Sequence, residues 1–324
     1  MRTISLWVVV FYLVIFIANP AFSSDNTPPN TLTYDLLPGT SIQQLSRDLE
    51  HLGIVKSAWW LSLRFRFHGK PMQAGEYEID PKASLAHLVQ QFTRGYVKGY
   101  YVTLVEGWRF SQFSDIISRQ PLLIHQLTSP EIITETLHLP VHHPEGWFFP
   151  DTYQYTKGMS DEALYRQAHH RMLQKLEEAW TTRDSQLTLK NPYELLILAS
   201  IIEKETAVQV EMPKISGVFH RRLLKNMRLQ TDPTVIYGLG NTYTGRLHKK
   251  DLLKDTPYNT YTRTGLPPTP IAMPSWDALS AAAHPEPGDT YYFVAKGDGS
   301  HHFSATLSEH QAAIRQYASS IVFQ

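Results

Sequence analysis

The chain contains no cysteine. Disulfides, thiolate metal sites, cysteine nucleophiles and iron–sulfur clusters are therefore excluded together. Neither sign of charge is in excess: 30 Lys and Arg face 30 Asp and Glu, for a formal net charge of +0. A nucleic-acid binder normally carries a basic excess or a basic face, so nucleic acid is not an expected partner. Chemistry is left to carboxylates, histidines and hydroxyls. What is there fits a folded protein: 324 residues, 42% hydrophobic and 12% aromatic. That length suggests about two domains, with enough chain to bury a real core.

The N-terminus carries an apolar run, Ile4 to Ala18, broken only by Ser5. Arg2 precedes it and no other basic residue comes before Arg47, a pattern that predicts the N-terminus inside and the remainder translocated. The run of 15 residues is shorter than a typical span of about 20. Ala21-Phe22-Ser23 is a small-x-small cleavage site, so the residues by themselves favour a cleaved signal peptide. The polar stretch Ser23 to Asn30 (SSDNTPPN) reads as a linker.

A strand is expected over Thr33 to Leu37. Ser41 with Gln44 forms a capping box for a helix facing inward through Ile42, Leu45, Leu49 and Leu52, closed by Gly53. A helix over Ser57 to Phe67, a strand near Glu76 to Ile79, and a helix capped by Ser84 and closed by Gly95 follow. Further on, an amphipathic helix is expected over Asp161 to Trp180. Asn191 caps another, with Pro192 at its first position, running through Leu195, Leu196, Leu198, Ala199, Ile201 and Ile202. Its apolar positions cover well over half the wheel, as in a buried central helix. Tyr258 to Pro274 reads as an ordered loop, Ser275 to Ala283 as a short helix, and Tyr291 to Ser304 as a hairpin. Thr306 with Glu309 opens a last helix.

Glu203 and Glu205 follow Ile201-Ile202 on the central helix. At about 100° per residue both fall within its apolar arc, while Lys204 lies opposite. A carboxylate in apolar surroundings is costly when ionised, so its pKa rises. A glutamate held protonated in this way is what a general acid at a glycosidic bond requires. The competing account is a helix end where both glutamates reach water or pair with Arg221 or Lys214. Helical position does not choose between Glu203 and Glu205. His142-His143, His169-His170 and His301-His302 lack metal-site spacing. Ser200 lacks a nucleophile elbow. Glu145 to Tyr155 (EGWFFPDTYQY) and Tyr258 to Pro268 mix aromatic rings with carboxylates and amides, which suits sugars and equally suits a tyrosine-rich structural loop.

Several long motifs converge on one family. LASIIEKETAV (Leu198 to Val208), RLQTDPTVIYGLG (Arg228 to Gly240), YNTYTRTGLPPTPI (Tyr258 to Ile271) and AAAHPEPGDTYYFVA resemble the endolytic murein transglycosylases, the MltG or YceG-like family. PEGWFFPDTYQY is similar to that family's EG-x-x-FPDTY segment. The resemblance implies an α+β fold. A small LysM-like βααβ module (33–98) precedes a larger α+β catalytic domain with a buried central helix (99–324), after an N-terminal signal or membrane anchor (1–23) and a linker (24–32). It implies a lyase that cuts the MurNAc–GlcNAc bond within nascent glycan strands, leaves 1,6-anhydro-MurNAc ends and terminates elongation. The first Glu of E-K-E-T is the family's catalytic residue, which is Glu203 here. Glu145, Asp151, Tyr153, Glu205, Gln230, Asp232, Tyr258, Asn259, Tyr261 and Pro267 are the expected substrate-binding residues, with no metal and no cofactor. The expected partners are peptidoglycan strands, the inner membrane through the N-terminal segment, and the peptidoglycan synthesis machinery. The expected location is the inner membrane, single-pass with a periplasmic catalytic domain, or the periplasm if the segment is cleaved. A non-catalytic peptidoglycan scaffold, and a muramidase using water with Asp232 as second carboxylate, stay open as alternatives.

Overall fold

The structure, a computed structural model, describes residues 31–140 and 143–321. The chain divides into two units: residues up to Tyr100 with Thr156–Gly158, and Tyr101–Tyr155 with Met159 onward.

In the first unit, β1 (Leu32–Leu36) pairs antiparallel with β2 (Gly75–Ile79), Tyr34 opposite Tyr77. Helices α1 (Ile42–His51) and α2 (Ala58–His68) lie between them in sequence, and α3 (Leu85–Arg94) follows. The patterning explains the packing. Tyr77 and Ile79, two apart on β2, are buried, while Glu78 between them is exposed. Leu45 and Leu49 share one face of α1, and Leu88 and Phe92 one face of α3. Ser41 caps α1 by accepting from Gln44 N at 3.1 Å. The other half of the expected capping box does not form, because the Gln44 amide donates to Asp48 at 2.6 Å. Gly69 and Gly95 end α2 and α3 in the left-handed conformation that glycine adopts at least cost.

In the second unit, β3 (Tyr100–Leu104) pairs with β4 (Asp151–Tyr155). The helices are α4 (Phe110–Ser118), α5 (Pro130–Thr136), α6 (Asp161–Thr181), α7 (Pro192–Glu205), α8 (Met212–Leu224), α9 (Asp232–Leu239), α10 (Lys249–Leu253), α11 (Trp276–Ala283) and α12 (Leu307–Ile321). An antiparallel hairpin, β5 (Tyr292–Ala295) with β6 (His301–Ser304), precedes α12. Asn191 caps α7 through Glu194 N at 2.9 Å. Every residue of α7 from Leu195 to Ile202 is buried. It packs against α11, α6, α8 and α9, and the small side chains of α11 (Ala278, Ala281, Ala282 and Ala283, all buried) admit the close approach. Within this core Ser200 donates to Ile197 O at 2.7 Å and accepts from Ile271 N at 3.0 Å. The loop before α11 is thereby stitched to the central helix. The Thr306–Glu309 capping box forms as expected, at 3.2 Å in both directions. The fold is thus mixed α+β with small antiparallel sheets.

One expectation is corrected. Among the described residues no helix is long and apolar enough to cross a membrane. The 21-residue α6 carries Asp161, Glu162, Arg166, Arg171, Lys175, Glu177 and Glu178, far more charge than a membrane span holds. No described helix therefore supports the expected single-pass inner-membrane placement. The run Ile4–Ala18 and the Ala21-Phe22-Ser23 site on which it rested lie outside the described residues.

Gly217 in α8 marks the tightest backbone approach in this unit. A Cβ there would stand 2.3 Å from the Glu286 carbonyl oxygen. That carbonyl is fixed by Arg221 Nη1 at 3.0 Å, and Glu286 N donates to Pro213 O at 2.9 Å. Alanine would gain about 1 kcal/mol of helix propensity, but displacing a clamped backbone costs about 1–3 kcal/mol or more. Gly217→Ala is therefore expected to lower the unfolding free energy by up to about 2 kcal/mol in urea. A stabilised variant would show that the α8 contact yields freely.

Candidate active site

The C-terminal end of α7 carries both sequence-predicted glutamates, and the structure sends them to different neighbours. Glu203 turns to the start of α11. Its Oε2 accepts from Ser275 N at 2.9 Å and from Ser275 Oγ at 2.6 Å. Ser275 is also the N-cap of α11, accepting from Ala278 N at 3.2 Å. Glu203 thus occupies the positive end of a helix dipole. Across from it runs the turn after β3. Gly107 N donates to Met273 O at 2.9 Å and Met273 N to Trp108 O at 2.8 Å. Lys204 Nζ donates to Gly107 O at 3.1 Å, so it bridges to this turn. Burial raises the Glu203 pKa and the Glu106 charge adds to the rise; the two Ser275 donors and Lys204 oppose it, and the net direction is upward.

Glu205 turns to the segment between α8 and α9, accepting from Thr231 Oγ1. Burial, with the nearby Asp232 charge, pushes its pKa up to about 7 against the opposing effects of the Thr231 hydrogen bond and Arg222. Arg222 itself donates to Leu229 O at 2.7 Å and Tyr291 O at 2.7 Å. Tyr261 OH donates to Asp232 Oδ1 at 2.5 Å. Gln230, at φ 55, reaches Arg222 at 3.5 Å. Glu205, Gln230, Asp232 and Tyr261 therefore form one cluster. Neither glutamate meets Arg221 or Lys214: Arg221 holds Thr290 and Glu286 oxygens, and Lys214 approaches Glu286.

Glu145 is a third perturbed acid, only 2% exposed. Its oxygens accept from Phe110 N at 2.8 Å and Tyr237 OH at 3.1 Å. Burial pushes its pKa up to about 7. It lines a cavity of about 650 Å³ with Arg109, Ser111, Thr128, His143 and Tyr237. The Tyr237 ring meets that of Tyr258 at 4.8 Å, and Tyr258 OH bonds Thr269 Oγ1 at 2.9 Å.

The remaining expected residues are occupied by the chain itself. Asn259, buried, gives its amide to Leu252 O at 3.0 Å and Lys254 O at 2.7 Å and accepts from Tyr261 N at 2.8 Å. Tyr153 donates to Phe149 O at 2.8 Å, Asp151 pairs with Arg171 at 2.8 Å, and Pro267 is buried. Among the described residues no three His, Asp or Glu side chains gather to hold a metal. Sequence reasoning missed Glu106, Gly107, Arg109 and Tyr237, and it read Ser275 only as a helix start. A usable signal was present: a capping serine four residues before the buried Leu279 has a hydroxyl proton to give to any acid beside it.

Glu145 and Glu205 make stability depend on pH in a definite sense. Their folded pKa of about 7 exceeds the ordinary 4.5. Between these values the folded chain keeps protons that the unfolded chain releases. Stability is full below the lower value and is lost as pH rises through the upper one, by up to about 3 kcal/mol per group. Urea titrations between pH 4.5 and 8 should show this decline, flattened in Glu145→Gln and in Glu205→Gln. A stability that rises over this range would refute the burial of these acids.

The model of the YceG-like family matches residues 35–316. A Bacillus subtilis protein named endolytic murein transglycosylase is 32% identical over 314 residues, covering 90% of this chain and 86% of its own. A Streptococcus pneumoniae protein of the same name is 26% identical over 329 residues, 89% of this chain but 59% of its own length. The crystal structure of a YceG-like protein from Listeria monocytogenes superposes with a TM-score of 0.56 at 29% identity, covering 88% of this chain and 99% of that one. With almost the whole chain matched in sequence and a solved relative of similar architecture, the chain belongs to the YceG-like family.

Proposed function

We propose that this protein is an endolytic murein transglycosylase, a lyase that cuts peptidoglycan glycan strands, with Glu203 as its acid and base. The observation that carries the catalytic assignment is the Glu203 carboxylate. Burial favours its proton-bearing form, one oxygen is fixed by Ser275, and the other faces the Gly107 turn. Protonated Glu203 donates to the glycosidic oxygen as the bond to C1 breaks and an oxocarbenium-like state forms. The resulting carboxylate takes the proton of the muramoyl C6 hydroxyl as that oxygen attacks C1. The nucleophile belongs to the substrate, so no water is consumed and the product ends in 1,6-anhydro-MurNAc. Intramolecular attack replaces a bimolecular encounter, which can lower the barrier by several kcal/mol, of the order of ~7.

Among the other residues, Gln230, Asp232 and Tyr261 present polar edges around Glu205 and Thr231, and in this reading they bind sugar hydroxyl and acetamido groups. Glu145 and Tyr258 shape the neighbouring wall through Tyr237. Asn259 and Tyr153 support it from within. Residues 33–98 act as a LysM-like glycan-binding module; their strand–helix–helix–strand order supports this. Action on nascent strands, where a cut ends elongation beside the synthesis machinery, completes the proposal.

The test is digestion of purified glycan strands followed by mass analysis. Anhydro ends, about 18 Da lighter than reducing ends, are expected. Only reducing ends would mean a muramidase, and no cleavage a scaffold. Glu203→Gln is expected to lower the release of anhydro-muropeptides by about 10²–10⁴-fold. Glu205→Gln, which removes a group bonded to Thr231, should stay within about tenfold of the parent. The reverse ranking would move the catalytic role to Glu205.

A further inference from the structure

Building on the assignment of Glu203 as the acid, we propose that Ser275 is a positioning residue that decides which Glu203 oxygen carries the catalytic proton: Oε2 is committed to Ser275, so the proton is given from Oε1, on the side of Gly107. The Ser275 hydroxyl has one proton. One of its two lone pairs accepts from Ala278 N at 3.2 Å, as the cap of α11. Toward the carboxylate it gives its proton to Glu203 Oε2, at 2.6 Å, alongside the Ser275 N–H at 2.9 Å. A proton on Oε2 would make it a hydroxyl oxygen, a poorer acceptor for the Ser275 N–H, which can only donate, and would turn the Ser275 hydroxyl away from it. The neutral acid consequently bears its hydrogen on Oε1, which has no donor among the described residues.

Gly107 shows where that hydrogen points. A Cβ built on Gly107 would lie 3.6 Å from Oε1. It would also lie 3.6 Å from Lys204 Nζ and 3.7 Å from Glu203 Cγ, ordinary contact distances; the glycine keeps this side of Oε1 free of a side chain, and the glycosidic oxygen is placed there. After donation the charge spreads to Oε2, where the two Ser275 donors and the α11 dipole receive it. The same carboxylate, turned neither way, then accepts the C6-hydroxyl proton at Oε1. The charged groups facing this acid are Glu106 on the turn after β3 and Lys204 on α7 itself; neither supplies a hydrogen bond to Oε2.

A cap and a positioning donor make different demands on residue 275, and substitutions separate them. Glycine serves as an N-cap at a cost of only a few tenths of a kcal/mol relative to serine and has no hydroxyl proton to give. Threonine caps and donates. The experiment measures kcat and the alkaline limb of the pH profile on glycan strands for Ser275→Ala, Ser275→Gly and Ser275→Thr, with thermal unfolding as the check on folding. Expected for Ser275→Ala is an alkaline limb moved up by about one pH unit, because the anion of Glu203 has lost a donor. Ser275→Gly should unfold within a few tenths of a kcal/mol of the parent yet lose about tenfold or more in kcat, and Ser275→Thr should restore both. Gly107→Asn, which tolerates the left-handed backbone, should lower kcat/KM about tenfold or more at unchanged unfolding temperature by filling the space beside Oε1. A Ser275→Gly variant with the parent's kcat and pH profile would overturn the proposal and leave Ser275 as a cap only. So would full activity in Gly107→Asn. The assignment of Glu203 stands or falls separately: Glu203→Gln with parental activity defeats it, whereas an inactive Glu203→Gln with an unmoved Ser275 series defeats only this inference.

Discussion

A carboxylate taken out of water must be given donors or keep its proton, and the bond between Glu203 and the first turn of α11 meets both demands in turn. Ser275 supplies two donors to one oxygen, and the helix dipole adds to them. The other oxygen is left to exchange a proton. This arrangement only works if α7 and α11 keep their register. Three contacts enforce it: Ser200 binding Ile271 N, and the paired bonds of Met273 with Gly107 and Trp108. The buried run Leu195–Ile202 against the alanines of α11 provides the close-packed surface behind them. Core truncations there would cost about 2–5 kcal/mol each, and they would also loosen the acid.

Three glutamates in this unit have raised pKa values, and their surroundings assign them different work. Glu145 is bonded at both oxygens and closed in, which makes it a brace between Phe110 and Tyr237. Glu205 secures the segment before α9 through Thr231, between Arg222 and Asp232. Among the described residues Glu203 and Glu205 each accept at one oxygen only, and the other oxygen of Glu203 lies toward the Gly107 turn. Perturbation by burial is common to all three, and Glu203 differs in what its remaining oxygen faces.

Much of this was legible in the sequence. The caps Ser41, Ser84, Asn191 and Ser275 and the glycines after α2 and α3 place their helices within a residue or two, because capping and left-handed turns are local chemistry. The alternation in β2 and the breadth of the apolar stripe on α7 were equally readable. Other features were not. Tyr153 and Tyr155 alternate inward on β4, but DTYQY read equally as a sugar-facing segment or a tyrosine-rich structural loop because its aromatics are polar-tipped. α8 contains a proline and a glycine that weaken any propensity argument; Gly217 is there for the Glu286 approach, a contact 69 residues away. Glu203 and Glu205 shared one arc of an ideal wheel, yet they part company once α11 and the Thr231 segment pull on them. Lys204, placed on the far pole by the same wheel, bends back to Gly107 O. Long side chains at a helix end follow tertiary partners, which no local pattern encodes.

The account depends on Glu203 holding a proton more tightly than an ordinary glutamate. Carbon-13 NMR of its side-chain carboxyl, identified by its loss in Glu203→Gln and followed from pH 3 to 9, reads this directly. A midpoint clearly above 4.5, the ordinary value, is the predicted result. A midpoint at or below that value would mean that the donors of Ser275 and Lys204 outweigh burial, and Glu203 could not serve as the acid described.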